Sequence, residues 1–141
     1  MADNYLTILQ HLREMSGAQE TVGLDDETIA RFCSSDAQLV QAINEASEAH
    51  KRLVEEFGMD VMSLPESELI PHLQEDYVNF YAPATVNPYI PIAGRGPWLI
   101  TSSGAVLHDN GGYGMLGSGH GPDSIIKAMS QNWVMANVMT P

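Results

Sequence analysis

The chain has 141 residues, of which 44% are hydrophobic and 17% charged, and this composition can form a core and argues against a wholly disordered protein. Its 18 acidic and 6 basic side chains give a formal charge of −12, which argues against binding to nucleic acid or to an anionic membrane surface. One cysteine excludes an internal disulfide, and the sequence has neither a membrane-spanning apolar stretch nor a signal peptide. We therefore expect a soluble, cytoplasmic protein.

The charge is distributed unevenly along the chain. Residues 1–80 hold 16 acidic and 4 basic side chains, whereas residues 81–141 hold two of each. Nine of the twelve glycines lie between Gly94 and Gly121. The sequence therefore predicts an acidic helical extension over residues 1–83, followed by a neutral, glycine-rich segment over residues 84–141.

The first two helices are predicted from their capping residues and apolar spacing. Asp3 or Asn4 is placed to cap the first helix, and Gly17 is placed to end it in a left-handed turn. Residues 25–27 put negative charge in the first turn of the second helix, where the helix dipole favours it. Cys33, on the apolar side of that helix, is predicted to be a small buried hydrophobe. Apolar residues recur every three or four positions along both helices: Tyr5, Ile8, Leu9, Leu12, Met15, Ile29 and Phe32.

The third helix is predicted most clearly. Ser35 and Gln38 have the spacing of a capping box at its start, and Gly58 is placed to end it. Its apolar stripe consists of Leu39, Val40, Ile43, Ala46, Leu53, Val54 and Phe57. The histidines of residues 1–80 lack partners at metal-ligand spacing, so we predict no metal site there: His11, His50 and His72.

A fourth helix is predicted after residue 62. Ser63 and Glu66 repeat the capping-box spacing, and Pro71 is expected to break or restart the helix, whose end falls near residues 77–81. The acidic pairs of this part of the chain, Glu55 with Glu56 and Glu66 with Glu68, are predicted to be solvated helix faces rather than catalytic carboxylates.

The pattern changes after residue 83. Four prolines between residues 83 and 97 prevent a continuous helix and favour extended or polyproline-like backbone. Two short β-prone runs, at residues 98–100 and 105–107, predict a β-hairpin. A glycine-rich loop follows, and residues 121–123 open a final amphipathic helix with the apolar residues Ile125, Ile126, Met129 and Trp133.

The glycine-rich loop permits several chemical interpretations. The dinucleotide-binding pattern G-x-G-x-x-G occurs at Gly112, Gly114 and Gly117. No helix opens at the third glycine and no acidic residue follows at the expected distance, so a small Rossmann-like redox protein is only a third alternative. His108 and Asp109 are neighbours on a strand and should point to opposite faces, so they are not expected to converge with His120 on a metal.

The parts of residues 86–141 follow a recognisable order. They are a proline-containing lead-in at residues 87–92, a glycine before a short hairpin at residues 94–99, a strand ending in aspartate at residues 103–109, a glycine-rich loop closing in Gly119 and His120, and a helix over residues 125–131. This series resembles the N-terminal part of the class III aminotransferases, the ornithine, acetylornithine and 4-aminobutyrate type. These are pyridoxal-phosphate enzymes of fold type I.

The resemblance implies an enzyme that transfers an amino group between an amino donor and a 2-oxo acid, and that forms a homodimer. It places six residues at the substrate entrance or dimer interface: Tyr89, Gly112, Tyr113, Gly114, Gly119 and His120. In this family the cofactor lysine lies in a large domain that follows this segment. Lys51, predicted to be a solvated helix residue, and Lys127 do not match its position. We therefore expect an inactive fragment, truncated before the cofactor-binding domain, with no catalytic residue and no covalently bound pyridoxal phosphate.

The predicted fold class is α+β and mostly α: a helical extension, a short hairpin, a glycine-rich loop and one amphipathic helix, forming part of a fold type I transferase domain. The hairpin and last helix carry more apolar surface than residues 84–141 can cover alone. Either the helical front or a second polypeptide must cover it. The alternative function is a non-catalytic, acidic helical module that binds a partner protein.

Overall fold

A computed structural model describes residues 2–76, 82, 85, 87–110 and 117–132. These residues form a mixed α and β fold, as predicted at the level of fold class. Among them, no helix has the length and apolar character needed to cross a membrane. The elements are α1 Ala2–Met15, α2 Asp26–Cys33, α3 Ala37–Phe57, α4 Met59–Met62, α5 Glu66–Gln74, β1 Pro91–Arg95, β2 Trp98–Thr101, β3 Val106–His108 and α6 Asp123–Met129.

The three strands form an antiparallel sheet in the order β1, β2, β3. The predicted hairpin is β2 with β3, in which Ile100 lies opposite Val106. β1 was predicted only as extended or polyproline-like backbone, and it pairs with β2 through a tight turn that places Arg95 opposite Trp98. The central strand β2 is buried along its whole length.

One hydrophobic core joins the helices to the sheet. Its buried residues come from α1, α2, α3, β2 and β3: Leu9, Leu12, Ile29, Leu39, Ala42, Ile43, Ala46, Trp98, Ile100 and Val106. Trp98 lies at its centre, with its ring centroid 5.0 Å from that of Phe32 and 4.8 Å from that of His108. The helical front therefore covers the sheet, whereas no residue of α6 is buried.

The ends of α1 differ from the prediction. The helix begins at Ala2, so Asp3 and Asn4 lie inside it rather than capping it. Gly17 does not adopt a left-handed conformation either. It is required for a different reason, because a Cβ atom there would lie 2.4 Å from the carbonyl carbon of Leu64.

The predicted starts of α2 and α3 are correct to within one residue. Asp25 caps α2 by accepting a hydrogen bond of 2.8 Å from the Thr28 backbone N–H, and this bond holds the pKa of Asp25 below its ordinary value. The cap of α3 is Asp36, whose Oδ1 accepts from the Gln38 backbone N–H at 2.9 Å, rather than Ser35. Gly58 ends α3 with a φ of 86°, as predicted.

Four predictions around α5 and α2 are wrong in detail. Pro71 lies inside α5 without ending it, and no side chain caps the start of that helix. Glu66 is not solvated: it is 3% exposed, whereas Glu68, like Glu55 and Glu56, is exposed as expected. Cys33 packs against the core but is only half-buried, and this burial raises the pKa of its thiol.

Candidate functional site

A cleft of about 390 Å³ lies where the chain returns from the glycine-rich loop to the β1–β2 turn. Its lining includes Gln38 of α3 and Pro97 of the turn. It also includes Asn110, at the start of the loop, and Ser118, at its end. The cleft thus combines side-chain amides and a hydroxyl, which donate hydrogen bonds to oxygen atoms of small polar ligands.

The β1–β2 turn holds both ends of the loop. Gly96 and His120 form a two-way backbone pair, with N–H to O=C distances of 2.9 and 2.7 Å. The Asp109 N–H donates to the Pro97 carbonyl at 2.7 Å. The loop therefore leaves and returns at fixed positions beside the cleft.

Asp109 and His120 form a side-chain pair inside the cleft. The Asp109 Oδ2 lies 2.9 Å from the His120 Nε2, and the two side chains are 23% and 21% exposed. A carboxylate in this position orients the imidazole ring through this hydrogen bond. When the ring is neutral and Nε2 donates to Asp109, Nδ1 is the proton acceptor. The carboxylate therefore determines which ring nitrogen is left to accept a proton.

The sequence alone did not predict the pairing of Asp109 with His120. The prediction that His108 and Asp109 diverge is correct, because the His108 ring packs edge-on against Trp98 while the Asp109 side chain reaches His120. The available signal was an aspartate at a strand end and a histidine after a loop. Nothing in their spacing of eleven residues indicates that they meet.

The predicted site residues have different outcomes. Gly119 and His120 line the cleft. Tyr89 is half-buried before β1 and is not part of the cleft lining. Gly112, Tyr113 and Gly114 lie outside the described residues.

Arg95 fixes the segment that leaves the cleft. Its guanidinium lies 2.6 Å from Glu45 Oε1 on α3 and 2.7 Å from Asp123 Oδ1 on α6, and it also donates to the Gly121 carbonyl. The hydrogen bonds from Arg95 hold the pKa of Glu45 below its usual range. Arg95 therefore ties the start of α6 to α3, directly after Gly119 and His120.

Both lysines of the chain lie on helix surfaces away from the cleft. Lys51 is 63% exposed, as predicted, and lies 2.7 Å from Glu48 on the surface of α3. Lys127 is exposed on α6, and neither lysine lines the cleft. No group of three or more potential metal ligands occurs within residues 2–76, 87–110 and 117–132.

Substitution of Gly119 tests whether the end of the loop must lie as close to the β1–β2 turn as the structure shows. Its φ is 73°, and a Cβ atom there would lie 2.7 Å from the Gly96 Cα. We expect Gly119→Ala to cost about 2–4 kcal/mol, because it adds left-handed strain to a backbone clash. Urea unfolding followed by circular dichroism measures this cost. Gly117→Ala is the matched control, since its Cβ would meet nothing within 4 Å. Equal effects of the two variants would contradict the close approach.

Comparison with known proteins adds no relative: no family model, curated protein or solved structure matches this chain.

Proposed function

We propose that this chain is the N-terminal part of a class III-type aminotransferase, which uses pyridoxal phosphate to transfer an amino group between an amino donor and a 2-oxo acid. In this proposal the cleft forms part of the substrate entrance, and the enzyme is a homodimer. The chain alone is inactive, because the cofactor lysine belongs to another part of the polypeptide.

The observation that carries the proposal is the meeting of Gly96, Asp109 and His120 in one cleft. These residues belong to three separate parts of the series that resembles the family: the glycine-containing segment 94–99, the aspartate that ends the strand, and the Gly-His pair that closes the loop. Gly96 and His120 are 24 positions apart in sequence, yet they form two backbone hydrogen bonds. If these parts form one site, their common order along the chain has a structural reason.

The cleft has suitable chemistry for a 2-oxo acid or an amino acid. Gln38, Asn110 and Ser118 can donate hydrogen bonds to carboxylate and carbonyl oxygens, and His120 can exchange a proton. Pyridoxal phosphate would supply the electron sink when bound. The residues of this chain would bind and orient the substrate at the entrance.

The complete reading frame that contains this chain provides the test. Purified with pyridoxal phosphate, reduced with borohydride and digested, it should yield a pyridoxyl-labelled lysine outside residues 1–141. It should also transfer amino groups from at least one member of an amino-acid panel to a 2-oxo acid, measured by mass spectrometry. A label on Lys51 or Lys127, or a full-length protein that neither binds the cofactor nor transaminates, would contradict the proposal.

Two matched variants connect the activity to the cleft. His120→Asn should lower kcat/KM by about 10- to 100-fold, since small displacements of a substrate-orienting group have effects of this size. His108→Asn changes an exposed histidine outside the cleft and should leave kcat/KM within about twofold. Equal losses of kcat/KM in both variants would contradict the role of the cleft in substrate binding. They would not contradict the aminotransferase activity.

The second candidate is a non-catalytic interaction module, and it is favoured by α6. No residue of this helix is buried, and its apolar residues Ile125, Ile126 and Met129 are 43%, 48% and 62% exposed. A two-turn helix is not stable in water by itself, so a partner surface is expected to cover it. A stop codon directly after Pro141, together with absence of pyridoxal-phosphate binding, would favour this candidate.

A further inference from the structure

His50 is a buried titratable residue outside the proposed site. It lies on α3, is 2% exposed, and its Nε2 has no hydrogen-bond partner among the described residues. A buried ring nitrogen without a partner destabilises the folded state, and a buried cation at the same place destabilises it far more. Protonation of His50 therefore acts against the packing that surrounds it.

A cavity of about 240 Å³ between α1 and α3 adjoins this histidine. His11 of α1 lines the same cavity, together with Lys51 and Glu55 of α3. Lys51 is paired with Glu48, so Glu55 is the acidic group available to offset two protonated imidazoles. The charges that face His50 across the interface are thus mainly repulsive once His11 is protonated.

α1 is the element on which such repulsion acts. Its Leu9 and Leu12 are 0% and 2% exposed and belong to the core, and Leu12 also lines the cavity. At its C-terminal end α1 is also held by Arg13, which donates to the Gly104 carbonyl at 3.3 Å and lies 2.9 Å from Asp26. Added positive charge at this cavity therefore weakens the packing of α1 against α3.

We propose that His50 and His11 form an acid-sensitive contact, and that protonation of His50 loosens α1 from α3. Burial, and secondarily the nearby His11, lower the pKa of His50 from its ordinary value of 6.5. Between the lowered pKa and 6.5 the unfolded state binds more protons than the folded state, so stability falls as the pH drops through 6.5. Below the folded-state pKa the loss levels off.

Hydrogen exchange of the 141-residue chain at pH 7.5 and 5.5, corrected for intrinsic rates, tests the proposal. Peptides from α1 should lose protection several-fold at the lower pH. His50→Leu removes the titrating group and the unpartnered nitrogen, and should abolish this loss. His72→Gln changes an exposed histidine of α5 and should retain it. His11→Gln should reduce the loss without abolishing it.

Two results would overturn the proposal: equal protection of α1 at both pH values in the wild-type chain, or an undiminished loss in His50→Leu. Where His50→Leu does not fold, an NMR titration of the wild-type imidazoles decides the question. The pKa of His50 should then lie below its ordinary value of 6.5, and a pKa at or above 6.5 would refute the proposal.

Discussion

Replacing Glu66 by alanine is expected to destabilise the protein by about 3–5 kcal/mol, although glutamate side chains are usually exposed. The Glu66 carboxylate accepts hydrogen bonds from the backbone N–H groups of Glu20 and Thr21 at 2.8 and 2.7 Å, and from the Thr21 hydroxyl at 2.7 Å. Alanine leaves these three donors without their acceptor at a place where the Glu66 side chain is 3% exposed, Thr21 is half-buried and Glu20 is exposed. A buried donor left without an acceptor costs about 1–3 kcal/mol, and water offsets part of this cost at Glu20.

The matched control is Glu68→Ala, which removes the same charge two residues further along α5, where the side chain is exposed to solvent. We expect a change within about 0.5 kcal/mol for that variant. Glu66→Gln keeps the shape but replaces one accepting oxygen by a donating amide, so it should fall between the two. Urea unfolding monitored by circular dichroism measures all three variants. Similar costs for Glu66→Ala and Glu68→Ala would contradict the role given to the buried carboxylate.

Glu66 also shows what sequence patterns cannot reveal. Its spacing from Ser63 predicted a capping box, a local arrangement within one turn of helix. In the structure the carboxylate instead ties the chain after α1 to the start of α5, across 45 positions of sequence. The Glu66 N–H likewise donates to the Ala18 carbonyl at 2.9 Å. A local pattern carries no information about a partner that only the tertiary fold brings near.

The elements predicted well are those determined by local rules. α3, with its apolar stripe and Gly58 at its end, and the hairpin of β2 and β3 follow from periodicity and turn residues. Proline positions were less informative, because Pro71 is accommodated inside α5 and Pro91 begins β1. Proline at the first position of an edge strand leaves the sheet hydrogen bonds intact, so it does not exclude a strand.

The candidate site was predictable only in part. Gly119 and His120 were named only through the resemblance to the aminotransferase family, and both line the cleft. Gln38 lies on a different element, and its presence in the cleft depends on how α3 crosses the sheet. Arg95 was noted only for its charge, whereas it connects Glu45 with Asp123. These contacts depend on packing between distant elements, which periodicity does not specify.

Replacing Asp36 by alanine should destabilise the protein by about 2–4 kcal/mol, because this residue has two roles. Its Oδ1 caps α3 through the Gln38 N–H, and its Oδ2 accepts from the Trp98 indole N–H at 2.8 Å. Loss of a cap costs about 1 kcal/mol, and a buried indole N–H without an acceptor adds about 1–3 kcal/mol. Ser35→Ala, at the cap position predicted from sequence, should cost no more than about 0.5 kcal/mol.

A double-mutant cycle with Trp98→Phe separates the two roles of Asp36. Phenylalanine has no indole N–H, so Asp36→Ala in that background should cost only the cap, about 1 kcal/mol. Circular dichroism is the appropriate probe, because Trp98→Phe alters the fluorescence. An equal cost of Asp36→Ala in both backgrounds would show that the indole bond contributes nothing to stability. A larger loss of stability for Ser35→Ala than for Asp36→Ala would indicate that Ser35, not Asp36, caps α3. The expected pattern makes Asp36 the residue through which the start of α3 and the buried centre of the sheet stabilise each other.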